Sequence, residues 1–327
     1  MGRRLKRFKN NSIYAGARLA NFLGRRLPRK IGVALFGAIG TLGWLIAAGE
    51  RRKTLENLRL IYGNRLSAAQ ISRLGRTVFA NLGRNLFDSL HLLARDSDYF
   101  DRIVKHDEFS LIDQAYREGK GVIMVTAHTG CFEMLLQFFA RKGYGTFAIG
   151  RASYDSRIDE LIRSARTGSN FEYLHRTENP RVILRKLQAG KVMGVLIDQD
   201  TATEGVFAHF LGRLAYTPSG PAKIAMRYKI PLFVVTTARQ KDGTHRIFFS
   251  SRLELLDSGE FNDDLVRNVE AINAFLCKTI EEYPEQWVWM HKRWKHQPGK
   301  GFEDVPNIEK INPKSEIRNS KLETMKQ

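Results

Sequence analysis

The hydrophobic pattern changes period within one short stretch of the chain. Residues 122–126 form a continuous apolar run rich in β-branched side chains, which predicts a buried strand. Residues 132–141 place Leu135, Leu136, Phe138 and Phe139 at helical spacing, and Gly143 supplies a stop. Similar runs at 146–149, 171–174, 192–197, 232–237 and 244–251 predict further strands, the last two joined by the hairpin-like turn at Lys241, Asp242 and Gly243. Helical periodicity covers residues 53–62, 68–93, 110–118, 155–167, 181–188, 222–228 and 263–282. Ser67, Asn179 and Asn262 stand at cap positions, and Pro180 opens its helix. This alternation gives an α/β fold with a central mixed sheet flanked by helices. The helices at 53–62 and 68–93 are expected to pack beside the sheet or to cover the entrance to a site.

The amino terminus departs from that alternation. Residues 31–49 carry no charge over nineteen positions, a length that just spans a hydrocarbon core. The run is rich in glycine and ends in no cleavage site. Three readings stand: a spanning helix, a helix lying in the interface, and a buried helix of the soluble domain. The chain therefore divides into residues 1–50 (a basic segment with a membrane-associated helix), a domain at 51–298, and a polar tail at 299–327 expected to be disordered.

Charge adds a partner class. The 327-residue chain has 53 lysines and arginines against 34 acids, a net charge of +19 and a pI near 10.0. Residues 1–30 hold ten of those bases and no acid. A polyanionic partner follows: an anionic membrane with its phosphorylated lipids, or nucleic acid. Trp287, Trp289 and Trp294 around His291, Lys292 and Arg293 fit either, by stacking on bases or by anchoring at a membrane interface. Two cysteines, Cys131 and Cys277, make no disulfide framework and point to a reducing compartment. Cys131 reads as filling a small buried position. The sequence has no zinc spacing, P-loop or dinucleotide fingerprint, and no cofactor is expected.

Candidate chemistry collects at strand ends, where ligands bind in α/β sheets. His128 follows the strand at 122–126. Glu133, five residues later, reaches back to the imidazole if His128 is on the turn and Glu133 in the first helical turn. A carboxylate on one ring nitrogen leaves the other as a general base. Gly130 would let a substrate approach the backbone, and free N–H groups at the helix start would meet developing negative charge. Read structurally, the same residues are a capping histidine and a dipole-matched glutamate. Arg151 ends the strand at 146–149 and suits phosphate or carboxylate. Asp198, Gln199 and Asp200 end the strand at 192–197. The two acids could ligate Mg²⁺, but are expected to accept hydrogen bonds from Arg151, backbone groups or substrate. The apolar loop at 201–214 could line a lipid channel or cover the core.

The segment AHTGCFE resembles the His-x4-Glu block of the lipid A biosynthesis (lauroyl/myristoyl) acyltransferase family, within the lysophospholipid acyltransferase superfamily. Gly150-Arg151, LIDQDTATEGVFAHFLG (196–212) and PEQWVWMHKRWKHQP (284–298) are similar to its other blocks, in order and at family-like distances. Where many members carry Asn-Pro after the arginine, this chain has Tyr154-Asp155. The resemblance implies a glycerol-phosphate-acyltransferase-like fold on the cytoplasmic face of the bacterial inner membrane. It also implies an acyl-acyl carrier protein donor (or acyl-CoA), a lipid A precursor as acceptor, and no nucleic-acid partner. His128 and Glu133 would be catalytic; Arg151, Asp198, Gln199, Asp200 and Gly130 would bind substrate. The alternatives are acylation of another lysolipid or glycolipid, and a non-catalytic basic protein that binds nucleic acid.

Overall fold

The six apolar runs pair, with one more segment, into a seven-stranded mixed sheet. The computed structural model describes residues 3–150, 156–157, 160, 171–175 and 178–299. Its strands are β1 (Val104–His106), β2 (Val122–Thr126), β3 (Thr146–Gly150), β4 (Phe171–His175), β5 (Val192–Leu196), β6 (Gly205–Phe210), β7 (Arg213–Pro218), β8 (Leu232–Arg239) and β9 (His245–Phe249). The order across the sheet is β1-β9-β8-β2-β5-β3-β4, with β6 and β7 forming a separate hairpin. Strands β8, β2, β5, β3 and β4 run parallel, and β9 turns back antiparallel to β8.

The helices are α1 (Arg3–Arg26), α2 (Arg29–Ile46), α3 (Ala48–Tyr62), α4 (Ala68–Leu93), α5 (Ser97–Ile103), α6 (Ser110–Arg117), α7 (Glu133–Arg141), α8 (Pro180–Gln188), α9 (Gly220–Tyr228) and α10 (Phe261–Glu282). Ser67 and Gln70 close a capping box on α4, and the Asn179 side chain caps α8. The cap read at Asn262 is not formed: α10 starts at Phe261, with Glu260 at the cap position and no side-chain bond.

The central strands are mostly apolar because helices cover both faces. Ile123, Val125, Met193 and Val234 join one core cluster, which Leu265, Val269, Ile272 and Leu276 of α10 complete. Val122, Met124, Val192 and Val235 face the other way, onto Met134, Phe138 and Phe139 of α7. The loop read at 201–214 is instead the β6–β7 hairpin. Val206, Ala208 and Phe210 are in the core rather than along a channel. The tryptophans are likewise not interface anchors: Trp287 and Trp289 are fully buried and Trp294 packs partly buried against them.

The glycine-rich run has a packing cause. A Cβ on Gly40 would stand 2.1 Å from the Phe79 carbonyl oxygen, and one on Gly83 2.0 Å from that of Phe36. Helices α2 and α4 thus touch backbone to backbone, a separation any side chain at those positions would forbid. One face of α2 (Gly32, Phe36, Gly37 and Trp44) is buried by this contact.

Candidate active site

Strands β2 and β5 are parallel neighbours with Thr126 opposite Leu196. His128 and Asp198 each lie two residues past those paired ends, so the register brings them side by side. Asp198 Oδ1 stands 2.8 Å from His128 Nδ1, and Asp198 Oδ2 accepts the His128 backbone N–H, also at 2.8 Å. Trp287 Nε1 donates to the same Oδ2 at 2.7 Å.

Asp198 is fully buried. Burial acts hardest on its pKa and raises it. The His128 charge and ring hydrogen bond, the Trp287 N–H and the His128 backbone N–H together outweigh burial, and the carboxyl is held at about 2. It is therefore ionised at neutral pH and can only accept. The ring Nδ1 is then the donor, and in the neutral imidazole the lone pair sits on Nε2.

A second imidazole faces the first. The His128 and His291 ring centroids are 5.5 Å apart. Gln199 Nε2 is 3.0 Å from His128 Nε2 and 2.5 Å from His291 Nε2. Desolvation, followed by the like charge of His128, lowers the His291 pKa to about 4, so this ring is neutral near pH 7. One carboxamide nitrogen thus bridges the two imidazoles, and it also lies 3.1 Å from His128 Nδ1. Phe132 closes the other side, its ring edge-on to His128 at 4.9 Å.

The turn is strapped from the carboxyl-terminal side. Gly130 N–H donates to Gln286 O at 3.0 Å, Val288 N–H to His128 O at 3.2 Å, and Thr129 bridges Trp287. Gly130 has φ +55°, and a Cβ there would lie 2.4 Å from the Thr237 carbonyl oxygen. The β8 backbone, rather than a substrate, occupies the space that this glycine opens. His128, Thr129 and Gly130 already spend their N–H groups within the protein.

The sequence-predicted residues divide as follows. His128, Asp198 and Gln199 converge. Asp200 faces away from the imidazole, where it accepts the backbone N–H of His296 at 2.9 Å and contacts its Nδ1, which fixes the carboxyl-terminal segment. The acids of this loop thus bind histidines and backbone groups. Glu133 is half-buried in the first turn of α7, as expected. Asp198 also gives the imidazole a carboxylate partner, on Nδ1. Arg151 and the Tyr154-Asp155 pair lie outside the described residues, as do most of the helix read at 155–167 and the tail from 300 onward. Cys131 is buried beside the turn, and burial pushes its thiol up to about 12, out of reach of nucleophilic use at neutral pH. Sequence reasoning missed the Asp198 bond, which needs strand order. It missed Trp287 and His291 as well, although both lie in a signature it had singled out.

Two comparisons extend the geometry. Residues 6–296 match a family model described as bacterial lipid A biosynthesis acyltransferase. The chain is also similar to the phosphatidylinositol mannoside acyltransferase of Mycolicibacterium smegmatis, 23% identical over 279 residues that cover 83% of this chain and 88% of that protein.

Proposed function

The chain belongs to the bacterial lipid A biosynthesis acyltransferase family and acylates a lipid; from the geometry of its His128 turn we propose how. His128 Nε2 takes the proton from an acceptor hydroxyl, whose oxygen attacks the carbonyl carbon of an acyl thioester. The tetrahedral intermediate collapses with loss of thiolate, which the imidazolium can protonate. The single observation that carries this reading is the buried, ionised Asp198 on Nδ1, because it leaves Nε2 basic and stabilises the imidazolium. Gln199 lies against the imidazole, and its carboxamide can donate to the acceptor oxygen or to the oxyanion. His291, neutral beside it, holds the Gln199 carboxamide from the other side. Glu133 supplies a second carboxylate at the same turn, and Arg151 a cation for phosphate or for a donor's phosphopantetheine arm. The thioester is already activated, so no covalent acyl-enzyme is required.

The donor proposed is acyl-acyl carrier protein. Carrier proteins are acidic and this chain carries a net charge of +19, so docking would be fast at low salt and fall with ionic strength. The acceptor proposed is a lipid A precursor at the cytoplasmic face of the bacterial inner membrane. A glycolipid acceptor is the second reading, favoured by the similarity to a phosphatidylinositol mannoside acyltransferase. Mass spectrometry of membrane lipids from cells carrying the wild-type chain or His128→Ala tests both. One added acyl chain on a lipid A precursor, absent in the variant, supports the first. The same gain on a glycolipid moves the acceptor and keeps the chemistry. No His128-dependent change in any lipid overturns the proposal.

A further inference from the structure

We propose that α1 and α2 form a docking face on which the protein lies against an anionic bilayer, with α2 parallel to the membrane rather than through it. The inference rests on the lipid-acylating reading and adds to it the way the enzyme meets its membrane.

Length and composition alone would let Arg29–Ile46 cross a bilayer. Its surroundings do not. At its start, Arg29 pairs with the buried Asp88 of α4 at 2.7 Å and donates to the carbonyl of Gly243, in the turn between β8 and β9. At its end, Trp44 packs on Phe79 with ring centroids 5.3 Å apart, and Arg51 of α3 donates to the Trp44 carbonyl at 2.9 Å. Both ends of the helix are thus fixed to one globular body. To span, α2 would have to drag α4, with its Arg84, Asn85 and Asp88, into hydrocarbon.

The free face of α2 fits an interface. Ile31 (58% exposed), Leu35, Ile39 (52%), Leu42 and Leu45 (63%) recur at three- and four-residue spacing, opposite the face packed on α4. Leu19 and Phe22 are exposed apolar residues of α1 as well. Exposed Arg25, Arg26 and Lys30 border it between the two helices, and residues 1–49 contain no acid. Arg26 lies over the Phe22 ring at 5.7 Å, its charged head beyond an apolar body. An apolar stripe with Arg25, Arg26 and Lys30 at its amino-terminal end selects an anionic lipid surface.

The test uses the full-length chain and two readouts. In sedimentation with vesicles of phosphatidylcholine alone or with one quarter phosphatidylglycerol, the wild type should bind the anionic vesicles at least about tenfold better. The triple variant Leu35→Asp, Ile39→Asp, Leu42→Asp should lose that binding by about tenfold or more, because three apolar contacts become charges. These side chains face solvent, so circular dichroism should report an unchanged fold and acyl transfer to a detergent-dispersed acceptor should persist. For orientation, Lys30→Cys and Arg52→Cys in inner-membrane vesicles receive an impermeant maleimide added on the side of the catalytic domain, with the wild type as background. Labelling at both positions is the expected result. Labelling at one alone means α2 spans and overturns the proposal, as does vesicle binding that the triple variant keeps. Loss of transfer to the dispersed acceptor by the wild type would instead overturn the catalytic reading and leave the docking result standing.

Discussion

Asp198 grips His128 at two points, its ring Nδ1 and its own backbone N–H, both at 2.8 Å. One carboxylate therefore fixes both where the imidazole stands and which way it faces. Asp198→Asn keeps the shape but turns one acceptor into a donor, which favours the wrong tautomer. Acyl transfer should fall on the order of a thousandfold or more, with the fold retained. Glu133→Gln, measured beside it under the same conditions, should cost less, because the bond to Nδ1 survives. An Asp198→Asn enzyme that works at the wild-type rate while Glu133→Gln is dead would assign the orienting role to Glu133.

Trp287 anchors the other lone pair of that carboxylate. Trp287→Phe keeps most of the buried ring and removes the N–H, a loss of about 1.5–3 kcal/mol for a hydrogen bond to a charged group. The unfolding midpoint in urea should drop accordingly. Activity should fall by less than in Asp198→Asn, since His128 still holds the carboxylate.

Acid pH should weaken the fold through its buried histidines. His291 titrates near 4 in the folded chain against an ordinary 6.5, so between those values the unfolded chain binds more protons. Its contribution is fully present above pH 6.5 and declines as pH falls towards 4. Burial also lowers the pKa of His91 and His245, which adds to the same trend. The melting temperature followed from pH 7.5 to 4.5 should decline, and His291→Asn should flatten the slope. A variant profile parallel to the wild type would remove His291 from this account.

The α2–α4 contact should be intolerant of any side chain. Gly40→Val would push a Cβ to 2.1 Å from the Phe79 carbonyl oxygen, and overpacking of this kind costs about 1–3 kcal/mol. Asp88→Asn, two turns further along α4, would leave Arg29, Arg239 and His245 without their shared carboxylate. Breaking such a buried pair costs about 3–5 kcal/mol. Chemical denaturation of the full chain reads both, and a midpoint unchanged in Gly40→Val would contradict the close approach.

These cases also mark how far the sequence could be read. The strands read at 122–126, 192–197 and 232–237 were legible because both faces of the sheet are covered and the runs are mostly apolar. His128 and Asp198 were legible as strand-end residues, but their bond spans seventy positions and depends on β2 lying next to β5. No local pattern states that neighbourhood. Gly205 and Gly212 punctuate the β6–β7 segment like a loop, although its alternate residues enter the core. Tryptophans among basic residues suit a membrane surface equally well by composition; only the buried carboxylate below Trp287 shows why that ring is inside. The glycines of α2 looked like a weak spanning helix because the helix they pack on lies forty residues away.

The most direct measurement is transfer by the purified chain from acyl-acyl carrier protein to a lipid A precursor with a free hydroxyl, followed by mass spectrometry and repeated with His128→Ala. The account predicts a mass gain of one acyl chain with the wild type, and a rate lower by at least about a hundredfold in the variant, as expected on removal of a general base. Transfer at the wild-type rate without the imidazole would contradict it.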